Sequence, residues 1–215
     1  MYNITVLISG SGTNLQALID ACGIAPLQDA QITHVISNKK EAFGLTRAQK
    51  ASIPTAYHNL VAGGYKKKYP QDIAKAREDY DVDLAKMISQ NDPKADLVVC
   101  AGWMHILSPR FIDALKAANI PIINLHPALP GQFDGANAIG RAWDAYQKGD
   151  IVATGVMIHY VISEVDRGEP IITEEVECRD CNAESELEEK IHKVEWKLIV
   201  QGTANALSKI ESRPS

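Results

Sequence analysis

The chain has 215 residues, of which 46% are hydrophobic, and a formal net charge of −5. This length predicts one domain over residues 1–210 with a short tail at 211–215, and the acidic balance argues against a nucleic-acid or anionic-membrane surface. No apolar run reaches the roughly 18 residues of a membrane-spanning helix, and the N-terminus lacks a signal-peptide pattern. We therefore expect a cytoplasmic protein, monomeric or homodimeric, whose partners are small molecules.

The first predicted elements are a strand, a glycine turn and a helix. Residues 3–8 are apolar and β-branched, as in a strand buried within a parallel sheet, and residues 15–19 have helical spacing. The turn between them is Ser9-Gly10-Ser11-Gly12-Thr13-Asn14, whose amide N–H groups and polar side chains can bind an anion at the helix N-terminus. It lacks the G-K-[ST] of a nucleotide P-loop, so a single phosphate monoester is the better ligand prediction. A tight turn with a helix cap explains the stretch equally well.

Strands and helices then alternate. Further strands are predicted at residues 31–37, 54–57 and 95–101, and helices at 42–51, 69–91 and 109–118. This alternation predicts a Rossmann-like, doubly wound, mostly parallel sheet. The apolar loop Gly102–Pro109 follows the strongest central strand, where ligands bind in such sheets, although a packed loop is an equal alternative.

The second half places polar side chains at strand ends. In the strand Ile122–Pro127, Asn124 and His126 are two residues apart and should share one face. By themselves they are also consistent with a turn and a buried strand edge. Strands at residues 154–161 and 170–176 are joined by a short link containing Asp166, which predicts an antiparallel pair. Helices at 137–147 and 183–210 complete the chain.

The candidate catalytic residues do not include a nucleophile. No serine or cysteine stands in a nucleophile elbow, and no ligand cluster predicts a metal site. Cys178 and Cys181 form a C-x-x-C that we interpret as a chance pair in a polar loop. Histidine, asparagine and aspartate without a nucleophile suit direct transfer between two bound substrates. Such an enzyme positions an amine against a carbonyl, stabilises the oxyanion and moves protons.

Five ordered motifs are similar to those of the folate-dependent formyltransferases. They are Leu7–Gln16, Ser37–Lys39, Ala101–Ser108, Ile123–Pro127 and Glu164–Gly168. The Asn-x-His-Pro and the later aspartate are shared throughout that family. The N-terminal Ser-Gly-Ser-Gly-Thr-Asn narrows the resemblance to the phosphoribosylglycinamide formyltransferase branch, in a fungal-type form.

The resemblance implies the formyltransferase fold and transfer of formyl from 10-formyltetrahydrofolate to the amine of 5-phosphoribosylglycinamide, a step of purine (IMP) biosynthesis that needs no metal. The residues matching Asn124, His126 and Asp166 form the catalytic trio. We interpret Asn124 and His126 as donors to the developing oxyanion. Asp166 would pair with His126, raise its pKa, and accept the amine proton through water.

The resemblance also implies two sets of binding residues, with the ribonucleotide held mainly by the N-terminal half and the folate by the C-terminal half. The ribonucleotide contacts would be Ser11, Gly12, Thr13 and Asn14 at the phosphate and Glu195 at the ribose hydroxyls. The folate contacts would be Met104, His105, Ile106, Leu107, Val161, Ile162, Ser163, Glu164 and Val165. Two stretches depart from the common pattern: His105 stands where many relatives have arginine, and residues 128–135 differ from the bacterial form.

Other functions stay open on the sequence alone. A formyltetrahydrofolate deformylase shares the trio but passes formyl to water, and it normally carries an N-terminal regulatory domain that we do not expect here. A methionyl-tRNA formyltransferase would add a nucleic-acid-binding barrel, for which length and charge leave no room. The chain could also be a non-catalytic binder of a phosphorylated metabolite. Turnover separates these possibilities.

Overall fold

The computed structural model describes residues 1–211. Seven strands and seven helices occur in these residues, in the order β1 Tyr2–Ile8, α1 Thr13–Ala21, β2 Ala30–Ser37, α2 Phe43–Lys50, β3 Thr55–Tyr57, α3 Tyr65–Lys68, α4 Ile73–Ser89, β4 Leu97–Cys100, α5 Pro109–Ala117, β5 Ile122–His126, α6 Ala138–Lys148, β6 Ala153–Tyr160, β7 Pro170–Glu177 and α7 Glu184–Glu211. Backbone contacts divide the chain into two compact units, one of residues 1–122 and one from residue 123 onward.

The first unit is built on parallel strands in the order β3-β2-β1-β4. Strand β1 is its centre, and Ile4, Val6, Leu7 and Ile8 are fully buried. Continuous burial, rather than alternation, is the pattern of a parallel strand covered on both faces. The predicted strand–helix alternation is therefore confirmed in this unit.

The helical region before β4 differs from the prediction of a single helix over residues 69–91. The basic residues around Lys67 form a separate short helix, α3, and α4 begins only at Ile73. Pro70 lies between the two helices, where its missing N–H and fixed backbone prevent a continuous helix. Asp72 then caps α4, accepting a hydrogen bond of 2.9 Å from the backbone N–H of Lys75.

The second unit is antiparallel, with β6 paired to both β5 and β7. Helix α7 packs on β6 and β7, and it approaches closely at Gly202, where a Cβ atom would lie 2.7 Å from Cγ1 of Ile158. The predicted antiparallel pair, the long C-terminal helix and the mostly parallel fold class are confirmed. Cys178 and Cys181 lie in the loop between β7 and α7, as predicted, and their side chains are buried there.

Two remaining predictions concern the chain as a whole. Within residues 1–211, no helix combines the length and the apolar character that crossing a membrane requires. The predicted tail starts inside the last turn of α7, and its residues 212–215 lie outside the described residues. The single domain over residues 1–210 stays a prediction.

Candidate active site

The end of β5 brings the predicted trio together. Asn124 and His126 lie two residues apart on the strand and both reach Asp166, as expected for side chains on one face. Asn124 Nδ2 lies 3.3 Å from Oδ1 of Asp166, and His126 Nδ1 lies 3.4 Å from Oδ2. The side chains of His126 and Asp166 are 4% and 9% exposed, so these contacts are shielded from water.

Asp166 lies in the link between β6 and β7, with a left-handed backbone at φ 56°. Its Oδ2 also accepts a 2.7 Å hydrogen bond from the N–H of Gly135. Burial by itself raises the pKa of Asp166, but the contact with His159, the Gly135 N–H and the nearby charge of His126 together lower the pKa below its usual 3.8. The carboxyl group is therefore ionised at neutral pH.

His126 is held between two acceptors. Its Nδ1 faces the Asp166 carboxylate, and its Nε2 lies 3.4 Å from the carbonyl oxygen of Gln132. Both neighbours favour the charged imidazolium, because each can only accept a hydrogen bond. Burial nevertheless outweighs them and lowers the pKa of His126 below 6.5. The expected upward shift is thus wrong in its net direction, although Asp166 acts in the expected sense.

His159 is a member of this cluster that the sequence did not reveal. It lies on β6 directly opposite Asn124, with Nε2 3.2 Å from Nδ2 of Asn124 and 3.5 Å from Oδ1 of Asp166. Its Nδ1 lies 2.9 Å from the carbonyl oxygen of Tyr160, which can only accept, so Nδ1 carries a proton. A neutral His159 therefore accepts from Asn124, and a protonated one can donate to Asp166.

The loop after β5, residues 128–135, is tied to the trio. Besides the contacts from Gln132 and Gly135, its backbone is bound by Arg141, whose Nη2 donates to the carbonyl oxygens of Phe133 and Asp134. The Asp134 carboxylate also forms a 2.6 Å ion pair with Arg167. Residues 128–135 are thus fixed at several points.

The glycine turn of the first unit forms the start of α1. Gly12 is the N-cap, with φ 71°, and a Cβ atom there would lie 2.5 Å from the Cα of Gly44. A glycine cannot cap the helix with its own side chain, so the N–H groups of the first turn are suited to an anion. Arg47 braces the turn through a 2.9 Å hydrogen bond from Nε to the carbonyl oxygen of Ser11.

The loop after β4 adjoins the same glycine turn. Ser9 donates its N–H to the carbonyl oxygen of Gly102, and its Oγ accepts the N–H of Met104. The loop that carries the predicted folate residues of this unit is therefore bonded to Ser9, the residue at which the glycine turn begins. No group of three or more histidine, cysteine or acidic residues is arranged to hold a metal ion in the part of the chain that the structure describes.

The other predicted binding residues occupy varied surroundings. Asn14 on α1 and Glu195 on α7 are buried, with 8% and 5% exposure. Ile162 to Val165 are exposed at the start of the β6–β7 link, and Val161 is half-buried. An exposed link beside Asp166 is available to a ligand.

Comparison with known proteins identifies the family. The model of the family described as "Formyl transferase" matches residues 2–203. The chain belongs to the formyl transferase family. It is 52% identical over 200 residues to phosphoribosylglycinamide formyltransferase of Schizosaccharomyces pombe, covering 93% of this chain and 94% of the relative. It is 44% identical over 216 residues to that of Saccharomyces cerevisiae, covering 98% and 99%.

Solved structures agree with this assignment. The crystal structure of phosphoribosylglycinamide formyltransferase from Campylobacter jejuni superposes with a TM-score of 0.78 at 31% identity, covering 96% of this chain and 97% of that one. The enzyme from Streptococcus pneumoniae gives a TM-score of 0.76 at 28% identity, covering 96% and 99%. The predicted family and its fold are thus confirmed.

Proposed function

We propose that this protein is a phosphoribosylglycinamide formyltransferase, which moves a formyl group from 10-formyltetrahydrofolate to the amine of 5-phosphoribosylglycinamide in purine biosynthesis. The observation that carries the proposal is the convergence of Asn124, His126 and Asp166 in a member of the formyl transferase family. The names of the fungal relatives support the choice of acceptor. As a purine-pathway enzyme acting on small molecules, it would work in the cytoplasm.

The reaction is an attack by the substrate amine on the formyl carbon, which forms a tetrahedral intermediate with a negatively charged oxygen. Asn124 and His126 donate hydrogen bonds to that oxygen. The contact from Asn124 to Asp166 is long at 3.3 Å, so this N–H is readily redirected to a better acceptor. The intermediate then collapses as the carbon–nitrogen bond to the folate breaks, and the folate nitrogen leaves with the proton that the attacking amine has given up.

The protonation states suit this sequence of steps. Asp166, with its lowered pKa, is ready to accept the proton that the amine loses, through a water molecule. His126 has a lowered pKa in the free protein, and the growing negative charge on the oxyanion raises that pKa during the reaction. His126 therefore gains positive charge when the transition state needs it, rather than holding it permanently.

The substrates are assigned to the remaining residues. Ser11, Gly12, Thr13 and Asn14 bind the ribonucleotide phosphate at the N-terminus of α1, and Glu195 binds the ribose hydroxyls. The segments Met104–Leu107 and Val161–Val165 bind the pterin ring of the formyl donor. The exposed apolar side chains of Met104 and Ile106 support this assignment, because a flat aromatic ring needs apolar neighbours.

The test is an absorbance assay for consumption of 10-formyl-5,8-dideazafolate with and without 5-phosphoribosylglycinamide. Consumption only in the presence of the ribonucleotide is the expected result. Equal consumption without it would identify a hydrolase, and no consumption in either case would indicate a binding protein. The variant Asn124→Ala controls for contaminating activity, since it should remove turnover while leaving the ribonucleotide bound.

A further inference from the structure

A fully buried carboxylate lies in the middle of α4. Asp81 has 0% exposure, whereas its helix neighbours Asp79 and Asp83 have side chains that are 20% and 46% exposed. An ionised carboxylate removed from water destabilises a protein unless charged or hydrogen-bonding partners compensate it. The partners of Asp81 therefore indicate what the residue is for.

Both partners belong to the loop after β4. Oδ1 of Asp81 lies 2.8 Å from Nε2 of His105, and Oδ2 accepts a 2.7 Å hydrogen bond from the backbone N–H of Ser108. The other end of the loop is fixed by Ser9, which binds Gly102 and the N–H of Met104. The segment is thus held at both ends by buried polar groups.

The side chains of the loop between these anchors alternate between the protein interior and the solvent. Trp103, His105 and Leu107 point inward, while Met104 and Ile106 are 79% and 62% exposed. The rings of Tyr80 and Trp103 pack edge-on against the His105 ring, at centroid distances of 5.0 and 6.3 Å. His105 is therefore locked on the inner side, and its two neighbours are presented to the outside.

We propose that Asp81 is a positioning residue for the formyl donor: through His105 and the Ser108 N–H it holds the loop in the shape that receives the folate ring. This inference rests on the proposed function, because the loop is assigned there to the pterin. Asp81 does not touch the substrate in this scheme. It acts on ground state and transition state alike, so its loss raises KM for the donor rather than lowering kcat.

The decisive variants are Asp81→Asn and His105→Leu, with Asp83→Asn as the matched control. His105 and Ser108 face different oxygens of Asp81, and an asparagine there presents an acceptor oxygen to only one of them and an NH2 group to the other. Asp83 is on the same helix but bonds to the hydroxyl of Tyr65 and to Lys86. We expect KM for the formyl donor to rise about 10-fold in Asp81→Asn and in His105→Leu, which corresponds to the loss of one hydrogen bond to a charged group. The value of kcat should change less than about 3-fold. In both variants the KM for the ribonucleotide should stay unchanged. In the control Asp83→Asn, KM for both substrates and kcat should stay unchanged.

Two further measurements separate this role from general destabilisation. The double variant should raise KM for the donor no more than one single variant, because both changes break the same connection. His105→Arg should leave the KM for the donor low, unlike His105→Leu, since a guanidinium can donate hydrogen bonds to the Asp81 carboxylate. An unchanged donor KM in folded Asp81→Asn, or equal losses for both substrates, would overturn the proposal.

The inference can fail separately from the proposed function. Binding of a folate analogue to the wild-type protein, followed by fluorescence, tests the loop without turnover. Weaker binding of the analogue to Asp81→Asn than to the wild type supports the positioning role, even if no formyl transfer is observed. The absence of formyl transfer would overturn only the proposed reaction. If the wild-type protein turns over but both variants bind the analogue normally, the transferase proposal stands and the role of Asp81 is refuted. If Asp81→Asn fails to fold, His105→Leu gives the same decision.

Discussion

Asp166→Asn is the substitution that tests the candidate site most directly. The asparagine keeps the shape of the side chain, and its carbonyl oxygen can still accept the Gly135 N–H. The charge facing His126 at 3.4 Å is removed. At an effective dielectric constant of about 20, opposite charges about 4 Å apart attract by roughly 4 kcal/mol. If about 3 kcal/mol of this attraction is realised in the transition state, kcat falls about 100-fold, and loss of the proton acceptor lowers it further.

The assay is steady-state kinetics with both substrates varied, together with binding of the ribonucleotide by isothermal titration. We expect kcat to fall at least about 100-fold while the ribonucleotide still binds. Asp180→Asn is the matched control, because Asp180 also has a left-handed backbone, at φ 67°. Asp166 precedes β7, whereas Asp180 follows it and so lies at the other end of the strand. A kcat within about 3-fold of wild type for Asp166→Asn would refute the assigned role.

Three other predictions concern the trio and the glycine turn. The pKa of the His126 imidazole, measured by NMR, should lie below 6.5 and should be lower still in Asp166→Asn, and a midpoint above 6.5 would contradict the structure. Because the pKa of this histidine is lower in the folded than in the unfolded protein, the histidine contributes stability above pH 6.5. That stability is lost as the pH falls from 6.5 toward the folded pKa. Gly12→Ala should lower the free energy of unfolding, measured in urea, by at least about 2 kcal/mol. Gly10→Ala should leave the free energy of unfolding nearly unchanged, because a Cβ atom at position 10 has open space. Equal free energies for the two variants would contradict the close packing of Gly12 against Gly44. Asn14→Ala should raise KM for the ribonucleotide with little change in kcat, and an unchanged KM would place the phosphate elsewhere.

The shared face of Asn124 and His126 was predictable because it depends on local geometry. A period of two along β5 puts Asn124 and His126 on one face in any extended strand. The position of Asp166 in a short link between two strands was likewise visible in the sequence. The resemblance to the family then connected these separate observations.

His159 and the pKa of His126 were not predictable, because both depend on non-local structure. His159 meets Asn124 only through the register of β5 against β6, and the sequence indicated no pairing between those strands. The carboxylate beside His126 could be anticipated, but the degree of burial that reverses the shift could not. Asp81 gave no signal either, since one acidic residue among several on a helix does not reveal which one is buried.

The left-handed backbone at Asp166 limits what mutagenesis can reveal there. Residues other than glycine, asparagine and aspartate have a strained backbone at φ near +56°, and this strain lowers the stability of the fold by about 1–2 kcal/mol. An alanine or glutamate at this position would therefore combine a folding defect with a chemical one. Asparagine and glycine are the replacements whose lost activity can be attributed to the missing carboxylate. The same constraint narrows the residues that random variation can sample at this position without weakening the fold.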